Sequence, residues 1–409
     1  MANTILTPTT ITREALRVLN NEVVLAKKVD RQYDSSFAQS GGKIGDTLKV
    51  RRPVEYTVRS GATYSAQDVT ETSVDLTVAT QRGIDFEFTS DELTMDIDSF
   101  SERYIKPGMV RLANEIDYLL YNAAYQAVAN QVGTAGTTPA TALVYLQAGE
   151  KLDYFATPRD DQRCMVLNPA AHAASVDGLK GLFAPSSKIG EQYEKGLLGM
   201  DVLGFDFYMS QNVRTHTVGP LGGTPLVNGA SQSITTGWAA TASLITDGWT
   251  AAAANRLKAG DIFTIANVYA VNPITKQSTA QLQQFVVTAD VSSDGLGNLT
   301  AVIAPAIISA GAYQNVNSVP ADNAALTVVG TASTGYPINL AFHKSAIALV
   351  TADLQMPRGV DMASRANQDG MSLRFTRQWD VTDDKFKSRF DVLFGYKVLR
   401  PEWACRVIG

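Results

Sequence analysis

The first helical pattern in the chain starts at Thr12 and runs to about residue 28. Leu16, Leu19, Val23 and Val24 recur near helical spacing with polar residues between them, and Thr12 is placed to cap the start. The next stretch, "DRQYDSSFAQSGGKIGD", is polar and reads as an extended tether. From 47 to 88 the period changes to two. "LKVRRPVEYTV" and "TSVDLTVATQRGIDFEF" alternate apolar with polar, as at Val74, Leu76 and Val78 and again at Ile84, Phe86 and Phe88. This predicts a long two-stranded excursion of about 40 residues with a small, polar tip, "RSGATYSAQDVTE". A lone hairpin of that kind is marginally stable, so support from a neighbouring copy of the chain is expected.

The strongest helical pattern is "KPGMVRLANEIDYLLYNAAYQAVANQ", with Pro107 in the first turn and Met109, Leu112, Ile116, Leu119, Ala123 and Ala127 at spacings of three and four. At 1.5 Å per residue its roughly 25 residues predict a spine about 37 Å long, ended by Gly133 and Gly136. From 140 to 213 the signals alternate. "TALVYLQAGEKLDYFAT" and "PAAHAASVDGLKGLF" read as helices, "RCMVLNP" as a buried strand and "GLLGMDVLGFDFYMS" as a glycine-punctuated hairpin, together a mixed α/β domain.

Composition then shifts. Residues 219 to 335 carry only eight charged groups and are rich in Ala, Thr, Val, Gly and Asn. Short strands such as "GDIFTIANVYAVN" and "ALTVVG" predict an independent all-β insertion, a small barrel or sandwich. α/β character returns at "YPINLAFHKSAIALVTADL", and the chain closes on two strand-like runs, "SLRFTRQWDVTDDKFKSRFDVLFGYKVLR" and "EWACRVIG".

At 409 residues, two or three domains are expected. A net charge of -5 argues against a dedicated nucleic-acid binder, no apolar run is long enough for a membrane helix, and the start lacks the pattern of a secretory signal. Cys164 and Cys405 have no metal-type spacing and read as buried free thiols.

Candidate chemistry is sparse. Gly196, Gly199 and Gly204 do not have phosphate-loop spacing, and neither does "GGKIGD" at Gly41, where Ile44 follows the lysine; turn and bulge glycines are the better reading. His172, His216 and His343 lie in no metalloprotease motif, and no serine elbow is present. Asp290 opens a calcium-like loop, but Ala301 stands where a bidentate Glu is needed, so a hairpin turn is expected. "DDKF" at Asp383 reads as a solvated turn, with a cation bound between neighbouring copies as the alternative. The expectation is a protein that is not an enzyme, with no cofactor and no metal site.

The order of parts carries more than any motif. "GIDFEFTSDEL", "MVRLANEIDYLLY", "GFDFYMSQNV", "NLAFHKSAIALV" and "SRFDVLFGYKVLRPEWACRV" follow one another as in the major capsid proteins of tailed bacteriophages of the Hong Kong 97-type fold. The chain resembles in particular the short-tailed phage coat proteins with an insertion domain, a six-stranded β-barrel. The resemblance implies an α+β fold divided into an N-arm with helix (1–46), an E-loop (47–90), a P-domain spine helix (91–135), a first A-domain part (136–218), the all-β insertion (219–335), a second A-domain part (336–369) and C-terminal P/A-domain strands (370–409).

The implied function is self-assembly as hexamers and pentamers into an icosahedral shell around double-stranded DNA, bound without sequence specificity, in the host bacterial cytoplasm. A separate scaffolding protein and a portal protein are implied partners, and a decoration protein is left open. Within the E-loop, Arg51, Arg52, Glu55 and Arg59 become candidates for ion pairs with a neighbouring copy, and Glu14, Arg17 and Glu22 become candidates for scaffold contacts. Members of the wider family cross-link an E-loop lysine to an asparagine of a neighbour. Lys49, the only lysine of this loop, stands near its base, so cross-linking is not expected. The competing readings are a non-viral nanocompartment shell, an α/β enzyme with a β ligand-binding domain, and a tail or adhesin component.

Overall fold

The computed structural model describes residues 8–33, 47–64, 66, 71–89, 104–179, 202–232 and 237–409. Most of the expected tether, part of the excursion's tip, and Gly196 and Gly199 lie outside the described residues. The chain forms two compact units, one of Met1–Val50, Val74–Leu120 and Ile347–Lys397, the other of Arg51–Ser73, Tyr121–Ala346 and Val398–Gly409.

In the first unit, strands Ile347–Ala352, Lys385–Val398, Met371–Asp380 and Met362–Gln368 lie side by side in that order, and Thr80–Thr89 pairs antiparallel with the long Lys385–Val398 strand. Alternation makes one face apolar, where the tilted rings of Phe375 and Phe390 lie 4.9 Å apart. The other face is charged, with Arg389 on Asp85 at 2.7 Å and Lys385 on Glu87 at 2.8 Å across the ladder. Gly395 is required where the chains come closest, because a Cβ there would stand 2.2 Å from the Thr77 carbonyl oxygen. The first C-terminal strand-like run is a hairpin turning at residues 381–384, at the "DDKF" stretch.

Helix α1 (Pro8–Glu22) buries Ala15, Leu16, Val18 and Leu19 against this sheet. Thr12 does not cap it. The helix begins at Pro8, which tolerates a first-turn position, and the Thr12 hydroxyl donates back to the Pro8 carbonyl at 2.8 Å. The spine helix α2 (Lys106–Ala127) is 22 residues, about 33 Å long. It ends before Gly133, because the chain is taken up by a two-residue strand, Gln131–Val132, with Gly133 (φ +92°) turning after it. Asp117 on this helix accepts the backbone N–H groups of Val24, Leu25 and Ala26 at 2.8, 3.2 and 3.0 Å, fixing the chain as it leaves α1. Burial pushes its carboxyl up from the ordinary value, and the three N–H donors oppose that.

In the second unit, a mixed sheet runs in the order Gln131–Val132, Ala404–Ile408, Gly335–His343, Arg163–Leu167 and Asp206–Met209, with Thr215–Thr217 also pairing with Gly335–His343. Helices α3 (Ala142–Tyr154) and α4 (Pro169–Leu179) accompany it, and Tyr145, Leu152, Met165, Phe207 and Val407 form its core. The first part of the hairpin expected at 196–210 lies outside the described residues. Val202 and Phe205 exchange backbone bonds around Leu203 and Gly204, both at positive φ, and the following strand pairs in parallel with Arg163–Leu167.

The insertion is a barrel. Leu326–Val328, Ile262–Val271, Ser278–Val287, Leu299–Ala304, Ala242–Trp249 and Gly223–Val227 are neighbours in that order. The first and last meet through Val227 N–H to the Ala324 carbonyl and Asn323 N–H to the Val227 carbonyl, each 2.9 Å, so the sheet is nearly closed. Its interior is its own: Val227, Leu244, Trp249, Phe263, Phe285, Leu299 and Ile303 pack together, with the rings of Phe263 and Phe285 5.8 Å apart. The mixed α+β class with an inserted barrel is therefore what the chain adopts.

Residues 219–335 expressed alone are expected to give a cooperatively unfolding β domain; a disordered circular dichroism spectrum would refute the self-contained core. Asp117→Ala is expected to cost the whole protein roughly 2–4 kcal/mol by stranding three backbone donors, two of them buried, measured by denaturant unfolding, whereas loss of one ordinary surface contact would cost under about 0.5 kcal/mol.

Candidate assembly interface

Strand Thr47–Arg51 pairs with Ser73–Thr77, and the Arg52 N–H still reaches the Thr72 carbonyl at 2.9 Å. The ladder stops there. Among the described residues the alternating "VEYTV" that follows Pro53 belongs to no strand, so the regular part of the excursion is shorter than its pattern predicts. Beyond it the side chains turn outward: Tyr56 is 63%, Val58 99% and Tyr64 84% exposed.

The four charged candidates of this loop have different surroundings. Arg51 faces Glu71 at 3.2 Å in the open. Arg52 is half-buried; one terminal nitrogen donates to the Leu399 carbonyl at 3.0 Å, the other to Glu402 at 2.5 Å, and its guanidinium lies 4.9 Å from the Trp238 ring. Glu55 lies 3.6 Å from Lys276, whose ammonium also donates to the Ala312 carbonyl at 2.5 Å. Arg59 turns back on its own loop, donating to the carbonyls of Gly61 and Thr63. Together with Tyr313, Arg400 and Trp403 the loop's base borders an open cleft of about 800 Å³.

On α1, Glu14 and Arg17 form a two-bonded pair at 2.6 and 2.9 Å, which draws the Glu14 carboxyl below and the Arg17 guanidinium above their ordinary values. Glu22 is exposed at the helix end.

The histidines and thiols are held by structural contacts. His216 Nε2 pairs with Asp261 at 2.8 Å, and His343 Nε2 with Asp160 at 2.9 Å while its Nδ1 accepts the Ser345 N–H. His172 is buried, which lowers its pKa. Cys164 and Cys405 are buried, and burial pushes the Cys405 thiol up to about 12. The loop after Asp290 is a turn in which Asp294 accepts the N–H groups of Leu296 and Asn298, each at 2.8 Å. Asp383 is exposed, and its neighbour Asp380 pairs with Lys387 at 2.5 Å. Among the described residues no three His, Cys, Asp or Glu side chains are grouped to hold a metal ion, and no helix is long and apolar enough to cross a membrane.

Sequence reasoning missed Asp117, Trp238, Lys276 and Glu402. Asp117 carried a signal, since it falls on the helix face of Ala113 and Leu120, both buried. Lys276 carried another as one of few charges in its region. Glu402 carried none, because its partner Arg52 lies 350 positions away.

Comparison with solved structures finds the chain similar to one from Mycobacterium phage Che8, at 16% identity and TM-score 0.49 over 94% of this chain and 90% of that one. It is similar to a chain of the mature capsid of bacteriophage PhiM1 at 11% identity and TM-score 0.43, covering 89% and 82%. The CUS-3 coat protein I-domain is matched over 100% of its length and 28% of this chain, at 26% identity and TM-score 0.21. No curated protein matches in sequence. The family model for "P22 coat protein - gene protein 5" matches residues 1–409, the whole chain, which thus belongs to the P22 coat protein family and is a bacteriophage capsid protein.

Proposed function

We propose that this coat protein assembles as hexamers and pentamers into an icosahedral shell enclosing phage double-stranded DNA, with a separate scaffolding protein directing closure. The observation that carries this reading is the loop at 52–64. Its Tyr56, Val58 and Tyr64 side chains stand in solvent on a segment that, among the described residues, belongs to no strand. Exposed apolar side chains on such a segment are stabilised when a second copy covers them, and a surface that meets a different surface on the next copy builds rings.

Arg51 and Arg59, both exposed, are the loop charges best placed to meet a neighbour, while Arg52 and Glu55 brace the loop from its base. The polar face of α1 at Glu14, Arg17 and Glu22 is the proposed scaffold contact, its opposite face being taken by the sheet. The mildly acidic chain would hold packaged DNA loosely, by few phosphate contacts. A portal protein at one vertex and assembly in the bacterial cytoplasm complete the proposal, and a decoration protein remains compatible with it.

Sedimentation velocity and electron microscopy of the purified chain, with and without its scaffold, test the reading. Uniform closed shells are expected; a stable monomer or small oligomer under every condition would sink it. In the same assay Val58→Asp should raise the protein concentration needed for shells about tenfold, equivalent to about 1.4 kcal/mol, while leaving the unfolding midpoint of the unassembled chain unchanged.

A further inference from the structure

We propose that the inserted barrel aims the E-loop: its Trp238 and Lys276 side chains hold the loop's base at Arg52 and Glu55 and so set the direction in which the loop, with its exposed Tyr56 and Val58, leaves the molecule. This rests on the reading that the loop contacts another copy. The hold has two points. At the first, the Arg52 guanidinium is fixed in three directions, by the Trp238 ring at 4.9 Å, the Leu399 carbonyl at 3.0 Å and Glu402 at 2.5 Å. At the second, Lys276 meets Glu55 at 3.6 Å from a turn that is itself stiff. There the Asn272 side-chain oxygen accepts the N–H groups of Ile274 and Thr275 at 2.9 and 3.0 Å, and its amide nitrogen donates to the Tyr154 carbonyl at the end of α3 at 3.0 Å.

Each hold is weak alone, since exposed ion pairs and cation–ring contacts contribute little individually. Set three residues apart on either side of Pro53, whose φ is fixed, they oppose both rotation and swing of the base. Charge usage in the barrel agrees with this. Of its three bases, Arg256 is buried inside, donating to the Leu221 and Thr250 carbonyls, while Lys276 is spent on the loop. Trp238 and Lys276 are thus positioning residues, acting on the neighbour only through the loop they hold.

The test uses the full-length, unassembled chain carrying spin labels at Val58→Cys and Leu296→Cys. Both positions are exposed, at 99% and 85%, and the native cysteines are buried, so labelling is confined to the two sites. The distance distribution between labels is expected to be narrow in this background and to widen about twofold or more on adding Trp238→Ala or Lys276→Glu, because each removes one hold. Adding Glu55→Lys to Lys276→Glu should narrow it again, which a merely destabilised barrel would not do. Unchanged widths in both single variants, or a charge-swapped pair as broad as Lys276→Glu alone, would overturn the hold. The unlabelled variants are then assembled with scaffold. Irregular or slowly closing shells for Lys276→Glu, restored by the swap, are expected; uniform shells at the normal rate despite widened distances would overturn the aiming role. Absence of shells from the unsubstituted chain would instead count against the proposed function, while the label distances would still decide the hold.

Discussion

The second unit depends on one buried cation. Arg406, on the last strand, is 1% exposed, and its guanidinium donates to the Gly260 carbonyl at 2.7 Å and the Tyr125 carbonyl at 3.2 Å. Burial brings its pKa down to about 10, still charged at neutral pH. A guanidinium in the interior is tolerated only where fixed dipoles replace water, so the last turn of the spine, the entry to the barrel and the C-terminal strand must meet at one place. Around that point Asp261 accepts the N–H groups of Gly219 and Lys258 and pairs with His216, tying the barrel's first and later strands to the strand that precedes it. The barrel has its own core, but this polar knot determines where it is mounted.

The mounting is reinforced by pairing that the backbone does not supply. The Gln284 side-chain amide both accepts from and donates to the backbone of Gln131, at 2.8 and 2.9 Å, imitating one more rung of a ladder between the barrel and the mixed sheet. Gln281 adds a bond to Glu150 at 2.8 Å. Neutral amides suit this role better than charges, since they satisfy buried backbone groups without a desolvation cost as large as that of an ion.

What was legible in the sequence were the features set by local period. Helices α2 and α3, the buried strand Arg163–Leu167, the barrel's strands and the change of composition at 219 all announce themselves over a few neighbouring residues. The errors arose where a distant part decides a local outcome. Thr12 has the chemistry of a cap, yet the helix starts at Pro8 and the Thr12 hydroxyl is taken up by the Pro8 carbonyl and by Ser364 of a distant strand. "VEYTV" has a strand's alternation, but alternation makes no ladder without a partner, and none faces it among the described residues. Of the candidate interface, the loop and its exposed charges could be read directly. The bracing of Arg52 by Trp238 and Glu402 could not, because it joins segments with no shared pattern.

The barrel's shortage of charge also bears on how the molecule meets its solvent. With eight ionisable acids and bases, of which Asp261 and Arg256 are already enclosed, its surface offers little for counter-ions to screen or protons to alter. The first unit, with its ladder of Asp85, Glu87, Lys385, Lys387 and Arg389, is where ionic strength and acidity take hold. The same chain thus carries one body dense in exposed charge pairs and a barrel poor in them, so a change of medium acts first on the former.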